Sequence, residues 1–204
     1  MTAPAKLKNV IAIIVMGVSG CGKTTVAELI ARNLSLAFRD GDSFHPPANI
    51  AKMSAGVPLT DEDRWPWLDK VSAWITEHTA AGIPGIITCS ALKRIYRDRM
   101  RGDHVVFVHL TGDKNTIGRR ITARQDHYMP PALLDSQIAT LEPPGPDENV
   151  LEVDLGRKPA EEAAEIIERL GLHPELGSST LGSDHPGTSS APPIGDLLTP
   201  NVGD

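Results

Sequence analysis

Short, almost wholly apolar runs rich in β-branched residues alternate along this chain with longer stretches in which apolar residues recur every three or four positions. The apolar runs are Val10 to Met16, Gly85 to Cys89, Val105 to Leu110 and Val150 to Leu155, with a weaker one at Leu36 to Arg39. A strand buried on both faces reads this way, because neither face keeps a polar row for solvent. The periodic stretches predict helices at Thr24 to Asn33, Glu62 to Ala81, Lys93 to Arg101, Lys114 to Arg124 and Ala160 to Leu170. Asp61 is placed to cap the second of these, and Gly82 with Pro84 to end it. Strands alternating with helices imply right-handed βαβ crossovers, so the expected fold is α/β, with a five-stranded parallel sheet between two helical layers.

Two segments break the alternation. Residues 41–61 carry polar groups and three prolines where a simple crossover needs only a few residues, and residues 125–146 are proline-rich around a short helix at Ala132 to Leu141. Long excursions from a compact domain commonly hold substrates or close over them, so the first is expected to be a substrate-binding excursion and the second a lid. Beyond Gly171 the chain turns to Gly, Ser, Pro and Thr, too poor in apolar residues to offset its chain entropy. Residues 1–174 are therefore read as one domain and 175–204 as a disordered tail.

A length of 204 residues suits one domain with one active site, and a formal net charge of -6 gives no broad cationic field for nucleic acid. Cys21 and Cys89 are the only cysteines and lie far apart, which excludes a disulfide framework and a structural zinc site and suits a reducing cytoplasm. Lys6 and Lys8 before Val10 to Met16, with Val18-Ser19-Gly20-Cys21 behind, imitate a lipoprotein leader. Cleavage there would split the motif described next, so export is not expected. No other segment approaches the length of a membrane span, and no membrane association is expected.

Gly17-Val18-Ser19-Gly20-Cys21-Gly22-Lys23-Thr24 matches G-x-x-x-x-G-K-[ST] directly after a predicted strand and directly before a predicted helix. Glycines allow the tight turn that aims successive N–H groups inward, and the helix N-terminus adds its positive dipole end, so such a loop cradles phosphates. Lys23 is expected to reach the terminal phosphates and the Thr24 hydroxyl to coordinate Mg²⁺. Gly17 through Thr25 are the expected ATP contacts. Cys21 reads either as a small filler or as a thiol sensitised by the helix N-terminus.

The rest of the sequence bears on what is done with ATP. There is no N-K-x-D stretch, as a guanine-nucleotide switch requires, and Ile86-Ile87-Thr88-Cys89-Ser90 ends the third strand without the carboxylate of an ATPase motor. Asp40-Gly41-Asp42 instead follows the second strand, whose C-terminal end opens on the same crevice as the phosphate loop in a doubly wound sheet. One carboxylate there could order water around Mg²⁺ and the other accept a proton from a substrate hydroxyl. The same three residues could equally form an Asx turn into a helix. His45, Asp61, Asp63 and Arg64 lie in or close the excursion and supply the acceptors and cation that a polyhydroxy acid would need.

Asp40-Gly41-Asp42-Ser43-Phe44-His45-Pro46, Asn49, Lys52-Met53, Gly56 through Arg64 and Pro66-Trp67-Leu68 together resemble the gluconokinase family. Cys89-Ser90-Ala91-Leu92-Lys93, Tyr96-Arg97-Asp98, His127 and Leu141-Glu142-Pro143 continue the resemblance, which covers about residues 9–170. It implies the three-layer P-loop kinase fold of shikimate and nucleoside monophosphate kinases, ATP with Mg²⁺, and phosphorylation of D-gluconate at its terminal hydroxyl. By the same resemblance Asp42 is the base and Asp40 a partner of Mg²⁺ through water. Arg64 binds the gluconate carboxylate or hydroxyls, with Lys93 and Arg97 as further substrate-side cations and His127 in the lid. Such kinases are often dimeric, which composition neither supports nor opposes.

Arg120 and Arg124, just before the lid, are the expected cations over the transferring phosphate; Lys23, Asp42 and Arg124 make up the expected catalytic set. Lys93 opens a helix, an unfavourable place for a cation unless a substrate anion sits there, which hints at function. Arg97 shares helical spacing with Arg101 and reads equally as a solvated face. His45 could hydrogen-bond substrate or anchor the loop, while Trp65, Trp67 and Trp74 look like packing residues. The chain departs from the family pattern at Gln125-Asp126, where relatives more often carry a basic residue and glycine. A kinase for shikimate or a nucleoside monophosphate, and a nucleotide-binding regulator without transferase activity, are the competing readings.

Overall fold

The structure, a computed structural model, describes residues 10–122 and 131–173. Five parallel strands, β1 (Ala12–Met16), β2 (Ala37–Asp40), β3 (Gly85–Thr88), β4 (Val105–Thr111) and β5 (Val150–Asp154), form one sheet in the order β2-β3-β1-β4-β5. Around it lie α1 (Lys23–Leu34), α2 (Pro47–Ser54), α3 (Asp61–Ala81), α4 (Arg94–Asp98), α5 (Lys114–Thr122), α6 (Pro131–Thr140) and α7 (Pro159–Leu170). A 3₁₀ turn, Gly41–Phe44, joins β2 to α2.

The central strand shows why the apolar runs are unbroken. Ile13 and Val15 face one core with Val26 and Ile30 of α1 and Ile166 of α7, while Ile14 and Met16 face a second core with Trp67, Leu68 and Val71 of α3. Successive residues of a strand point to opposite faces, so a strand covered on both sides needs apolar residues throughout. The run that imitates a leader is thus the middle of the sheet, paired with β3 and β4. Among the described residues no helix is long and apolar enough to cross a membrane. At the sheet edge β2 keeps half its residues exposed, which explains its weak sequence signal.

Three local expectations need correction. Thr60, rather than Asp61, caps α3: its hydroxyl accepts from Asp63 N while the Asp63 carboxylate accepts from Thr60 N, a reciprocal capping box. The helix expected over Lys93 to Arg101 is only Arg94–Asp98. The excursion also holds a helix, α2, hidden from sequence reading by Pro46-Pro47; a proline at the first helical position costs no hydrogen bond and so starts a helix as readily as it breaks one. The expected end of α3 is found, with Gly82 at φ 65° closing its last turn.

Gly41 marks where the site is tightest, because a Cβ there would lie 2.0 Å from the carbonyl oxygen of Thr88. Neither partner is a flexible side chain, so β2 and β3 would have to separate. Gly41→Ala is expected to lower stability by about 2–3 kcal/mol, read as a fall in the denaturation midpoint; an unchanged midpoint would show that the strand ends yield freely.

Candidate active site

The phosphate loop turns at the end of β1 on three glycines with positive φ, Gly17 at 135°, Gly20 at 77° and Gly22 at 100°. Gly17 has a second constraint, since a Cβ on it would lie 2.9 Å from the Leu110 carbonyl oxygen. The N-cap of α1 is Gly22, with no side-chain cap, so the positive end of the helix opens directly on the loop. Lys23 folds back, its Nζ donating to the Val18 carbonyl at 3.0 Å. Thr24 and Thr25 occupy the first turn of α1, half-buried.

The two aspartates of Asp40-Gly41-Asp42 are held differently. Asp40 makes the Asx-type cap: its Oδ1 accepts from Asp42 N at 3.0 Å and from the Thr88 hydroxyl at 2.9 Å, and Ser43 Oγ donates to its carbonyl at 2.6 Å. Asp42 is thereby held with its side chain 65% exposed, on the wall of a cleft that Lys23 also lines. Trp67 fastens this turn to the core, its indole N–H donating to the Gly41 carbonyl at 2.7 Å.

His45 and Arg64 share that cleft with Lys23 and Asp42. His45 is buried and stacks on Trp67 with ring centroids 4.2 Å apart. Asn49 Nδ2, which also donates to the Asp63 carbonyl at 2.7 Å, lies 3.4 Å from His45 Nδ1. An amide nitrogen can only donate, so Nδ1 accepts and the proton sits on Nε2, which faces Asp42 Oδ1 at 3.9 Å. Burial, and after it the Arg64 cation, pushes the His45 pKa down to about 4. The folded value lies below the ~6.5 of an unfolded histidine, so the associated stability is complete above about pH 6.5 and is lost as pH falls toward 4. An NMR titration is expected to find His45 uncharged from pH 8 to pH 5.5; a midpoint near 6.5 would contradict its burial.

Arg64 places its guanidinium over the Tyr96 ring at 5.8 Å and has no carboxylate partner among the described residues. Met53, Val57, Pro58 and Leu59 supply the apolar part of the lining. The remaining polar lining comes from Ser90 and from α6, where Ser136, Gln137 and Thr140 face the cleft. Gln137 also touches the phosphate loop, its Oε1 accepting from Ser19 N at 2.6 Å.

Several predicted site residues sit elsewhere. Lys93 does have an anion at its helix start, but that anion is Asp61, bonded at 2.7 and 2.8 Å, and Tyr96 also donates to it. Those bonds to Lys93, then Tyr96, hold the Asp61 carboxyl below its usual range. Lys93 thus ties the start of α3 to α4 and does not line the cleft. Arg97 is neither a substrate cation nor a solvated face. It is 1% exposed, paired through Nε and Nη2 with Glu148, and Nη1 donates to the Ala91 and Leu92 carbonyls at 3.1 Å. Arg120 sits against the phosphate loop and braces it: Nη1 donates to the Cys21 carbonyl at 3.1 Å, and Nη2 to the Leu155 carbonyl at 2.7 Å and to fully buried Glu162 at 2.8 Å. Burial pushes the Cys21 thiol pKa up, which favours the filler reading over a reactive thiol. Arg124, His127, Gln125-Asp126 and the tail at 175–204 lie outside the described residues.

Sequence reading missed Glu142 and the polar face of α6. Glu142 Oε2 accepts from Arg94 N at 2.6 Å and so caps α4, which accounts structurally for the Leu141-Glu142-Pro143 resemblance. The signal available for α6 was the spacing of Ser136, Gln137 and Thr140, one helical face of hydrogen-bonding residues.

A phosphate loop after β1 and the Asp42 carboxylate after β2, open on one cleft with the Arg64 cation, define a small-molecule P-loop kinase. The sequence pattern of the family described as "Shikimate kinase" matches residues 19–170. A gluconokinase from Gluconobacter oxydans is 48% identical over 157 residues, covering 76% of this chain and 88% of that protein. Among solved structures, a sugar kinase from Janibacter superposes with TM-score 0.76 at 46% identity, covering 81% of this chain and 96% of its own. A gluconokinase from Sinorhizobium meliloti 1021 gives TM-score 0.72 at 40% identity, covering 84% and 97%. This chain belongs to the gluconokinase family, within the wider shikimate kinase group.

Proposed function

We propose that this protein transfers the γ-phosphoryl group of ATP to the terminal hydroxyl of D-gluconate, giving 6-phospho-D-gluconate and ADP. The observation that carries the reading is the single cleft lined by Lys23 of the phosphate loop and by Asp42, His45 and Arg64 of the excursion. The backbone N–H groups of the loop and Lys23 hold the phosphates, and Lys23 exchanges its bond to the Val18 carbonyl for a phosphate oxygen. Arg64 takes the gluconate carboxylate, which leaves the far end of the acceptor to reach Asp42. Asp42 accepts the proton of the C6 hydroxyl as its oxygen bonds to phosphorus and the bond to the ADP oxygen breaks. His45, neutral and protonated on Nε2, offers a donor beside Asp42 without adding charge.

The donors present suit Mg²⁺. Thr24 Oγ1 would be a hard ligand and the Asp40 oxygen not engaged in the cap would hold a water of the ion, and among the described residues no group of three His, Cys, Asp or Glu forms a protein cage. When bound, the ion supplies neutralising charge to the phosphate oxygens. Arg124 and His127 are assigned to lid closure on the family resemblance. Use of ATP, together with two buried unpaired cysteines, fits a reducing cytoplasm.

The test is ADP release by the purified chain with ATP, Mg²⁺ and a panel of sugar acids, shikimate and nucleoside monophosphates. Release stimulated by gluconate is expected. Stimulation by shikimate or a nucleotide alone would reject gluconate, and no acceptor-dependent release at all would favour the non-catalytic regulator.

A further inference from the structure

We infer that the polar face of α6, carrying Ser136, Gln137 and Thr140, is the wall that reads the acceptor's hydroxyl groups, and that Gln137 couples this wall to the phosphate loop. The inference rests on the site's being one for a polyhydroxy acid.

Three features of the cleft lead to it. The charged groups, Asp42 and Arg64, can fix the two ends of such an acceptor but not the hydroxyls between them. One long wall, Met53 with Val57, Pro58 and Leu59, offers shape and no side-chain hydrogen bonds. Besides Ser19, His45 and Ser90, the uncharged polar side chains along the cleft are Ser136, Gln137 and Thr140, which fall together on one face of α6 by helical spacing. Leu134 and Leu141 pack into the core alongside α1 and β5, so the helix is seated by apolar contacts and its polar face is turned to the cleft.

The individual bonds give this wall a definite polarity. Thr140 Oγ1 donates its hydrogen to the Ser136 carbonyl at 2.7 Å, so toward the cleft it presents lone pairs that accept from a sugar hydroxyl. Gln137 is at right angles to that role. Its amide oxygen takes Ser19 N at 2.6 Å, one of the N–H groups of the phosphate loop, while its amide nitrogen is a donor on the same rigid plane. A change in acceptor contacts at α6 is therefore transmitted to the nucleotide side through a single side chain. Because a site built to bond a hydroxyl discriminates strongly against an analogue lacking it, this wall sets which sugar acids are accepted.

The test measures kcat/KM for gluconate and for a set of its monodeoxy analogues with wild type, Ser136→Ala, Thr140→Val and Gln137→Leu. All three substitutions are near-isosteric or smaller, at half-buried positions. Thr140→Val is expected to raise the KM for gluconate about tenfold, equivalent to roughly 1.4 kcal/mol, with the KM for ATP near wild type. In that variant the penalty for one particular deoxy position should disappear, an outcome that mere loosening of the helix would not give. Gln137→Leu should raise the KM for both ATP and gluconate, and Gln137→Glu, which keeps an acceptor for Ser19 N, should recover the ATP value. If wild type phosphorylates gluconate but every variant keeps its acceptor KM and all deoxy penalties, the α6 inference is overturned and the site reading stands. If wild type phosphorylates no sugar acid, both fall together.

Discussion

Asp42→Asn is expected to lower kcat for gluconate phosphorylation by about three orders of magnitude while leaving the affinity for ATP unchanged. The substitution is nearly isosteric and removes only the capacity to take a proton. The turn that holds residue 42 depends on its backbone N–H, bonded to Asp40, and on Gly41, bonded through its carbonyl to Trp67, so the replaced side chain is not needed for folding. The proposed ATP contacts lie in the phosphate loop, whose geometry is set by the glycines and by Arg120 behind Cys21. Single-turnover kinetics with a parallel nucleotide-binding titration separates the two effects. Turnover within a fewfold of wild type would remove Asp42 from proton transfer.

The second large effect lies away from the chemistry. Arg97→Met is expected to destabilise the protein by about 3–5 kcal/mol, because Glu148, 3% exposed, would be left as a buried charge without its partner. Burial works against the Glu148 charge, yet the bonds from Arg97 and then from Gly145 N outweigh it and keep its carboxyl below the usual range. For a protein of this size the corresponding fall in melting temperature is about 10 °C. The double variant Arg97→Met with Glu148→Leu should regain a large part of the loss, since two apolar side chains leave no orphaned charge. Kinetic constants measured on folded Arg97→Met at low temperature should stay near wild type. A selective rise in the KM for gluconate, with stability unchanged, would return Arg97 to the substrate side.

The contrast between these two residues shows what sequence can carry. Asp42 was legible as a candidate because its place follows from a local fact, an acid two residues past the end of β2, a strand parallel to β1 in the same sheet and so ending at the edge where β1 feeds the phosphate loop. Arg97 was not, because its partner lies 51 residues away on the segment leading into β5, and spacing within a helix says nothing about what covers that helix. Lys93 is intermediate. The unfavourable helix start correctly required an anion, but only the fold reveals that Asp61, 32 residues earlier, provides it. The sheet was readable for the same reason as Asp42, since a doubly covered strand must be apolar at every position. Helix α2 was hidden by its two prolines, and the reading face of α6 by attention to charge in a segment where neutral hydroxyl and amide groups line the cleft.

The central claim is that one cleft aligns ATP with the hydroxyl farthest from the carboxylate held by Arg64. The position of the phosphoryl group in the product reports this directly. A proton-coupled ³¹P spectrum of the reaction with gluconate should show a new phosphomonoester signal split into a triplet by the methylene protons of C6. A doublet, which marks phosphorylation at a secondary carbon, or the absence of any organic phosphate other than nucleotide, would contradict the arrangement of Lys23, Asp42 and Arg64 described above.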